Sequence, residues 1–172
     1  DEWAAEHGLP VLAHLVDAAT GKELWQNIYG DMYEDEWGPG PRSTPIIDGD
    51  RVFVQSCKGE FRCFNIEDGR VLWGVSFEKD FGVPFLGSKA NEGTASRRGN
   101  DGCGIIDGDH IFLPVGAKDA SLVCFDKRSG KIVWKSQSDE AAYSSLMLAT
   151  LAGVKQVVYY SADALMGIDS DS

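Results

Sequence analysis

The side chains able to do chemistry are scattered along this sequence rather than gathered into one motif. Two Asp-Gly-Asp triplets, at 48–50 and 107–109, have the oxygen density of a calcium loop. Such a loop also needs a bidentate glutamate at its twelfth position, where this chain has Gly59 and Lys118. Both triplets lie between short apolar runs, which predicts hairpin turns of type I′ and no metal. His7, His14 and His110 share no ligand spacing, and His110 is expected to be exposed beside a turn. The cysteines, Cys57, Cys63, Cys103 and Cys124, form no C-x-x-C pair, no haem-attachment motif and no adjacent pair. Cys63 and Cys124 occupy matching places in a repeated segment and read as small buried apolar residues. Cys57 and Cys103 lie near turns, and whether they pair is open at this level. No nucleophile elbow, phosphate loop or dinucleotide fingerprint occurs. The residues favour binding over catalysis.

Two long connections are the places where binding residues concentrate. Residues 27–42 interleave Asp31, Glu34, Asp35 and Glu36 with Tyr29, Tyr33 and Trp37, and residues 77–102 carry five glycines and the pair Arg97-Arg98. Loops on a rigid scaffold are common sites of recognition. Tyr33, Asp35, Trp37, Arg97 and Arg98 are therefore the candidate binding face, for a protein partner or a small ligand.

Composition narrows the partners. The 172 residues carry 27 acidic and 16 basic side chains, a formal charge of −11. That surface repels phosphate backbones and anionic headgroups, so nucleic acid is not an expected partner. No apolar stretch approaches the roughly 20 residues of a membrane helix. Asp1 and Glu2 open an acidic segment that does not read as a secretory leader.

The elements that must position these residues come from an internal repeat. Leu15–Trp25, Cys63–Trp73 and Cys124–Trp134 align without gaps, each with Asp or Asn, then Gly, then Trp: Gly21 and Trp25, Gly69 and Trp73, Gly130 and Trp134. A fourth copy starts at Met166-Gly-Ile-Asp. Upstream, Pro45–Val54 matches Gly104–Leu113, with a looser copy over 145–160. The tryptophans stand 48 and 61 residues apart, which places an insertion in the second long connection. Each unit has four short runs rich in Val, Ile, Phe and Tyr, separated by Gly turns. Four strands per unit at this period predict an all-β propeller, read as one partial domain over 1–172. Its pieces are a part-blade at 11–28, blades at 43–76 and 103–137, and a part-blade at 145–172. The tryptophans read as packing between blades.

The segments Val16–Trp25 and Asp126–Trp134 resemble the tryptophan-docking repeat of the PQQ-like β-propeller family, and the resemblance runs from Val11 onward. It implies one of two branches. Quinoprotein dehydrogenases bind pyrroloquinoline quinone and Ca²⁺ under a vicinal disulfide or an equivalent contact. The non-enzymatic branch includes the outer-membrane assembly lipoprotein BamB. This chain has no adjacent cysteines, and its carboxylates match no catalytic base or calcium ligand of the first branch. The resemblance thus implies a scaffold without cofactor, in the periplasm or secreted, with a quinone- and Ca²⁺-dependent enzyme as the alternative. About three and a half blades leave edges and faces to cover. The expectation is a fragment of a seven- or eight-bladed ring, or a ring closed by a second copy.

Overall fold

The structure is a computed structural model that describes residues 11–30, 41–83 and 99–171. The described residues form four antiparallel sheets. The first holds β1 (Val11–Val16) and β2 (Glu23–Gly30). The second runs β3 (Ile46–Asp48), β4 (Arg51–Gln55), β5 (Glu60–Asn65) and β6 (Val71–Ser76) in sequence order. A single helical turn, α1 (Phe77–Phe81), follows it. The third sheet runs β7 (Ile105–Asp107), β8 (His110–Ala117), β9 (Ala120–Asp126) and β10 (Ile132–Ser136). The fourth holds β11 (Met147–Leu151), β12 (Val154–Tyr160) and β13 (Leu165–Asp169).

The sheets stack face to face, and one apolar cluster fills each junction. Ala13, Trp25 and Tyr29 meet Val52, Val54 and Phe64 at the first. Phe53, Phe61 and Cys63 meet Ile111, Leu113 and Phe125 at the second. Phe112, Leu122 and Cys124 meet Val157 and Tyr159 at the third. A sheet covered on both faces must be apolar at consecutive positions, which is why β8 and β9 are buried almost throughout. Cys63 and Cys124 are each fully buried, facing successive junctions, and burial pushes both thiols up to about 12.

The turn before each outer strand is built the same way three times. Asp17 Oδ1 accepts from the Thr20 amide at 2.8 Å, Asn65 Oδ1 from the Glu67 amide at 2.8 Å, and Asp126 Oδ1 from the Ser129 amide at 2.7 Å. The glycine four residues on then donates back to the carbonyl of that Asp or Asn, at 2.8, 3.0 and 2.9 Å. The Thr20 and Ser129 hydroxyls also donate to Asp17 and Asp126, holding both carboxyls below the ordinary range. These turns make the repeat's Asp/Asn and Gly interdependent.

Two local features differ from the sequence reading. In the hairpins at Asp48–Arg51 and Asp107–His110, φ is positive only at Gly49 (58°) and Gly108 (55°). That is the requirement of type II′, because Asp50 and Asp109 stay at negative φ. His110 is half-buried rather than exposed, its ring set edge-on to Phe112 at 6.3 Å. The second long connection also opens on α1, capped by the Ser76 hydroxyl and by left-handed Gly82.

Candidate functional site

Chemistry in this architecture depends on what the sheets hold rigid and where the long connections emerge. The repeat residues form the rigid part. The Trp25 indole lies on Gly69 of the next sheet, so closely that a Cβ there would stand 2.5 Å from a ring carbon. Its Nε1–H donates to the Ile66 carbonyl at 2.8 Å, and the Asn27 amide donates to the Gly69 carbonyl at 2.9 Å. Trp73 repeats this on Gly130, with a 2.6 Å approach and a 3.0 Å bond to the Lys127 carbonyl. Gly21 has the same backbone, φ 69°, with nothing within 4 Å of its Cβ position. Trp134 Nε1 is buried and has no acceptor. Its turn would begin at Asp169, whose carboxylate already accepts from the Asp171 amide at 2.9 Å. Ion pairs tie the same rim: Lys127 to Asp48 at 2.6 Å, and Lys155 to Asp107.

The roots of the two long connections meet. Arg42, leaving the first, lies 3.7 Å from the Asp101 carboxylate at the end of the second. Asn100 donates its backbone and side-chain N–H groups to the Cys57 carbonyl, at 2.8 and 2.9 Å. Gln55 Nε2 donates to the carbonyls of Asn100 and Gly102, at 2.9 and 3.1 Å. The turn at 56–59 therefore binds both roots, and the Ser56 hydroxyl closes it on Glu60. Tyr33, Asp35, Trp37, Arg97 and Arg98 lie outside the described residues. The structure thus fixes the base from which those segments rise.

This base is polar but not nucleophilic. Burial, and then the Asp101 carboxylate, push the Cys57 thiol up to about 12, so it stays protonated at neutral pH. Its Sγ lies 3.6 Å from Asp101 Oδ1 as a donor. Burial raises Tyr29 to about 12 as well, with Cys57 and Glu60 adding to the shift. All four cysteines are free thiols. Cys57 turns to Asp101, while Cys103 Sγ accepts from the Thr44 amide at 3.0 Å, so the two serve separate contacts. Among the described residues no three acidic, histidine or cysteine side chains converge into a group that could hold a metal ion. The Arg42–Asp101 pair and the Gln55–Asn100 contacts had no sequence signal, because neither belongs to the repeat.

Four stacked antiparallel sheets with indoles docked on the following turn define a partial β-propeller of PQQ-like repeats. The family model of the outer membrane protein assembly factor BamB matches residues 11–172, and the chain belongs to that family. Among solved structures, BamB from Moraxella catarrhalis is 17% identical with a TM-score of 0.62, over 92% of this chain and 43% of that one. The quinohemoprotein alcohol dehydrogenase ADHIIG from Pseudomonas putida HK5 is 16% identical with a TM-score of 0.61, over 92% and 30%. The computationally designed Ika4 protein is 13% identical with a TM-score of 0.53, over 92% and 80%. At these identities the likeness is one of fold. The chain spans less than half the length of the BamB and dehydrogenase structures it matches. No curated protein sequence matches it.

Proposed function

We propose that this chain is part of a non-catalytic propeller scaffold of the bacterial envelope, which binds a protein or small ligand through the face where its two long connections emerge. The observation that carries this reading is the shared base of those connections, held by Arg42–Asp101 at 3.7 Å and by Asn100 on Cys57. A common anchor at the roots of the acidic, aromatic segment and the basic one supports a shared binding face. Membership in the BamB family supports the envelope and the binding role. The protonated Cys57 thiol supports binding over nucleophilic chemistry. Among the described residues no helix is long and apolar enough to cross a membrane.

The second reading is a piece of a quinone- and Ca²⁺-dependent dehydrogenase, favoured by the fold likeness to quinohemoprotein alcohol dehydrogenases. Titration with pyrroloquinoline quinone and Ca²⁺ separates the two. Under the scaffold reading the quinone spectrum is unchanged and no alcohol is oxidised; saturable uptake with turnover refutes it. Capture from a bacterial envelope extract tests the face. Partners held by the chain are lost on replacing Tyr33 and Trp37 by Ala and Arg97 and Arg98 by Glu, and equal capture by the variant overturns the assignment.

A further inference from the structure

Both long connections are seated, at both ends, on the turn at 56–59 between β4 and β5. The first leaves at Gly30, where a Cβ would stand 3.1 Å from Ser56 Cβ and 3.2 Å from Glu60 Oε2. It returns at Arg42, whose backbone amide donates to the Cys57 sulfur. The second leaves at Phe77, whose amide donates to the Gly59 carbonyl at 2.9 Å, and returns at Asn100, held on the Cys57 carbonyl. Gly59 lies under both ends of the second connection. Its φ is 86°, and a Cβ there would stand 2.8 Å from Phe77 Cβ and 2.9 Å from Asn100 Nδ2.

The equivalent turns of the other sheets do not share this burial. Lys118 and Asp119 in the third sheet are exposed, as are Ala162, Asp163 and Ala164 in the fourth. In the second sheet Ser56 and Cys57 are 0% and 1% exposed, and Gly59 is buried. A turn ordinarily runs over the surface, where water satisfies its backbone. Here the ends of the connections do so instead, Asn100 giving two N–H groups to one carbonyl and Phe77 one to another. The seats of both returns lie on a single residue. The Cys57 sulfur takes the Arg42 amide and donates to Asp101, while its carbonyl takes Asn100. A displacement of Cys57 that releases one return therefore moves the seat of the other.

We propose that this turn couples the two long connections, so that the seating of one holds the other in place. The turn has two arrangements, closed with all four ends seated and open with Cys57 displaced. Whatever grips either connection in its seated form favours the closed turn and steadies the other, and by linkage the effect is equal in both directions. The proposed binding face then responds as one unit, and to that extent the inference rests on that reading.

Amide hydrogen exchange of the whole chain tests the coupling without any partner. Gly30→Ala crowds Ser56 where the first connection leaves, and Asn100→Ala removes one bond to Cys57 where the second returns. Gly30→Ala should speed exchange of the Asn100 and Phe77 amides by about fivefold or more. Asn100→Ala should speed that of the Ser56 and Glu60 amides by a similar factor. The Lys127 amide, bonded to the Asp109 carbonyl in the third sheet, keeps its rate in both variants. Gly21→Ala, where the new Cβ meets nothing within 4 Å, leaves the four turn amides unchanged. Acceleration confined to the substituted end, acceleration at Lys127 as large as at the turn, or the same pattern from Gly21→Ala each overturns the proposal. Capture that fails beside intact coupling refutes the binding reading alone, and lost coupling beside intact capture refutes this one alone.

Discussion

Replacing Gly130 with alanine isolates what one docked indole contributes. Gly21, Gly69 and Gly130 have φ of 69°, 69° and 70°, so the cost of a left-handed alanine is common to all three, about 1–2 kcal/mol. Only at Gly69 and Gly130 does the new Cβ meet a tryptophan, at 2.5 and 2.6 Å. Ordinary carbon contacts lie near 3.5–4.0 Å, so Trp73 must retreat by roughly 1 Å. That breaks the 3.0 Å bond to the Lys127 carbonyl and strands an indole N–H, costing about 1–3 kcal/mol. It also opens the stacked contact with Phe125 at 6.1 Å, worth about 0.5–1.5 kcal/mol. Gly130→Ala should therefore destabilise by roughly 3–5 kcal/mol and Gly21→Ala by about 1–2. Urea unfolding followed by far-ultraviolet circular dichroism reads both. Because different sheets can unfold at different free energies, the decisive comparison is a cycle with Trp73→Leu. In that background the Gly130→Ala cost should fall by about 2 kcal/mol or more, since the ring that collides is gone. Equal costs at Gly21 and Gly130, or a coupling below about 0.5 kcal/mol, would refute the docking account.

Alkaline pH should destabilise the fold. The Cys57, Cys63 and Cys124 thiols are raised from 9.0 to about 12, so their stabilisation is complete below pH 9 and is lost as pH climbs toward 12. Three such groups give a slope approaching about 4 kcal/mol per pH unit, and melting temperatures at pH 8 and 10 read it. In acid the sign reverses: Asp17 and Asp126 are lowered from 3.8, so their turn bonds hold above that pH and fail as it falls further, seen as turn-amide exchange. Thiol titration of the native chain should modify Cys103 first, with the three buried thiols reacting only on unfolding; two equivalents in denaturant would indicate a disulfide. Asp101→Asn should lower the Cys57 thiol, because it removes a neighbouring negative charge and leaves Arg42 beside the sulfur. Unchanged thiolate absorbance across the alkaline titration would contradict that arrangement.

The sequence by itself determined the repeat and hence the architecture. An Asp or Asn, a glycine and a tryptophan at fixed spacing recur because each does a local job: the first accepts the turn's amides, the second adopts positive φ, the third begins to cover a sheet. Those requirements act within a few residues, so they can be read from one chain. What the tryptophans cover is another matter. That Trp25 rests on Gly69, and Trp73 on Gly130, depends on sheets more than 40 residues apart stacking in register. The turn type at Gly49 likewise needed the observed backbone, since Asp-Gly-Asp admits both primed turns. The base of the long connections was invisible in the sequence. Arg42, Gln55, Cys57, Asn100 and Asp101 lie outside the repeat, and nothing in their spacing joins them. Only stacking of the second and third sheets brings the two chain segments to one turn, where burial then holds the thiol protonated and the arginine finds its carboxylate.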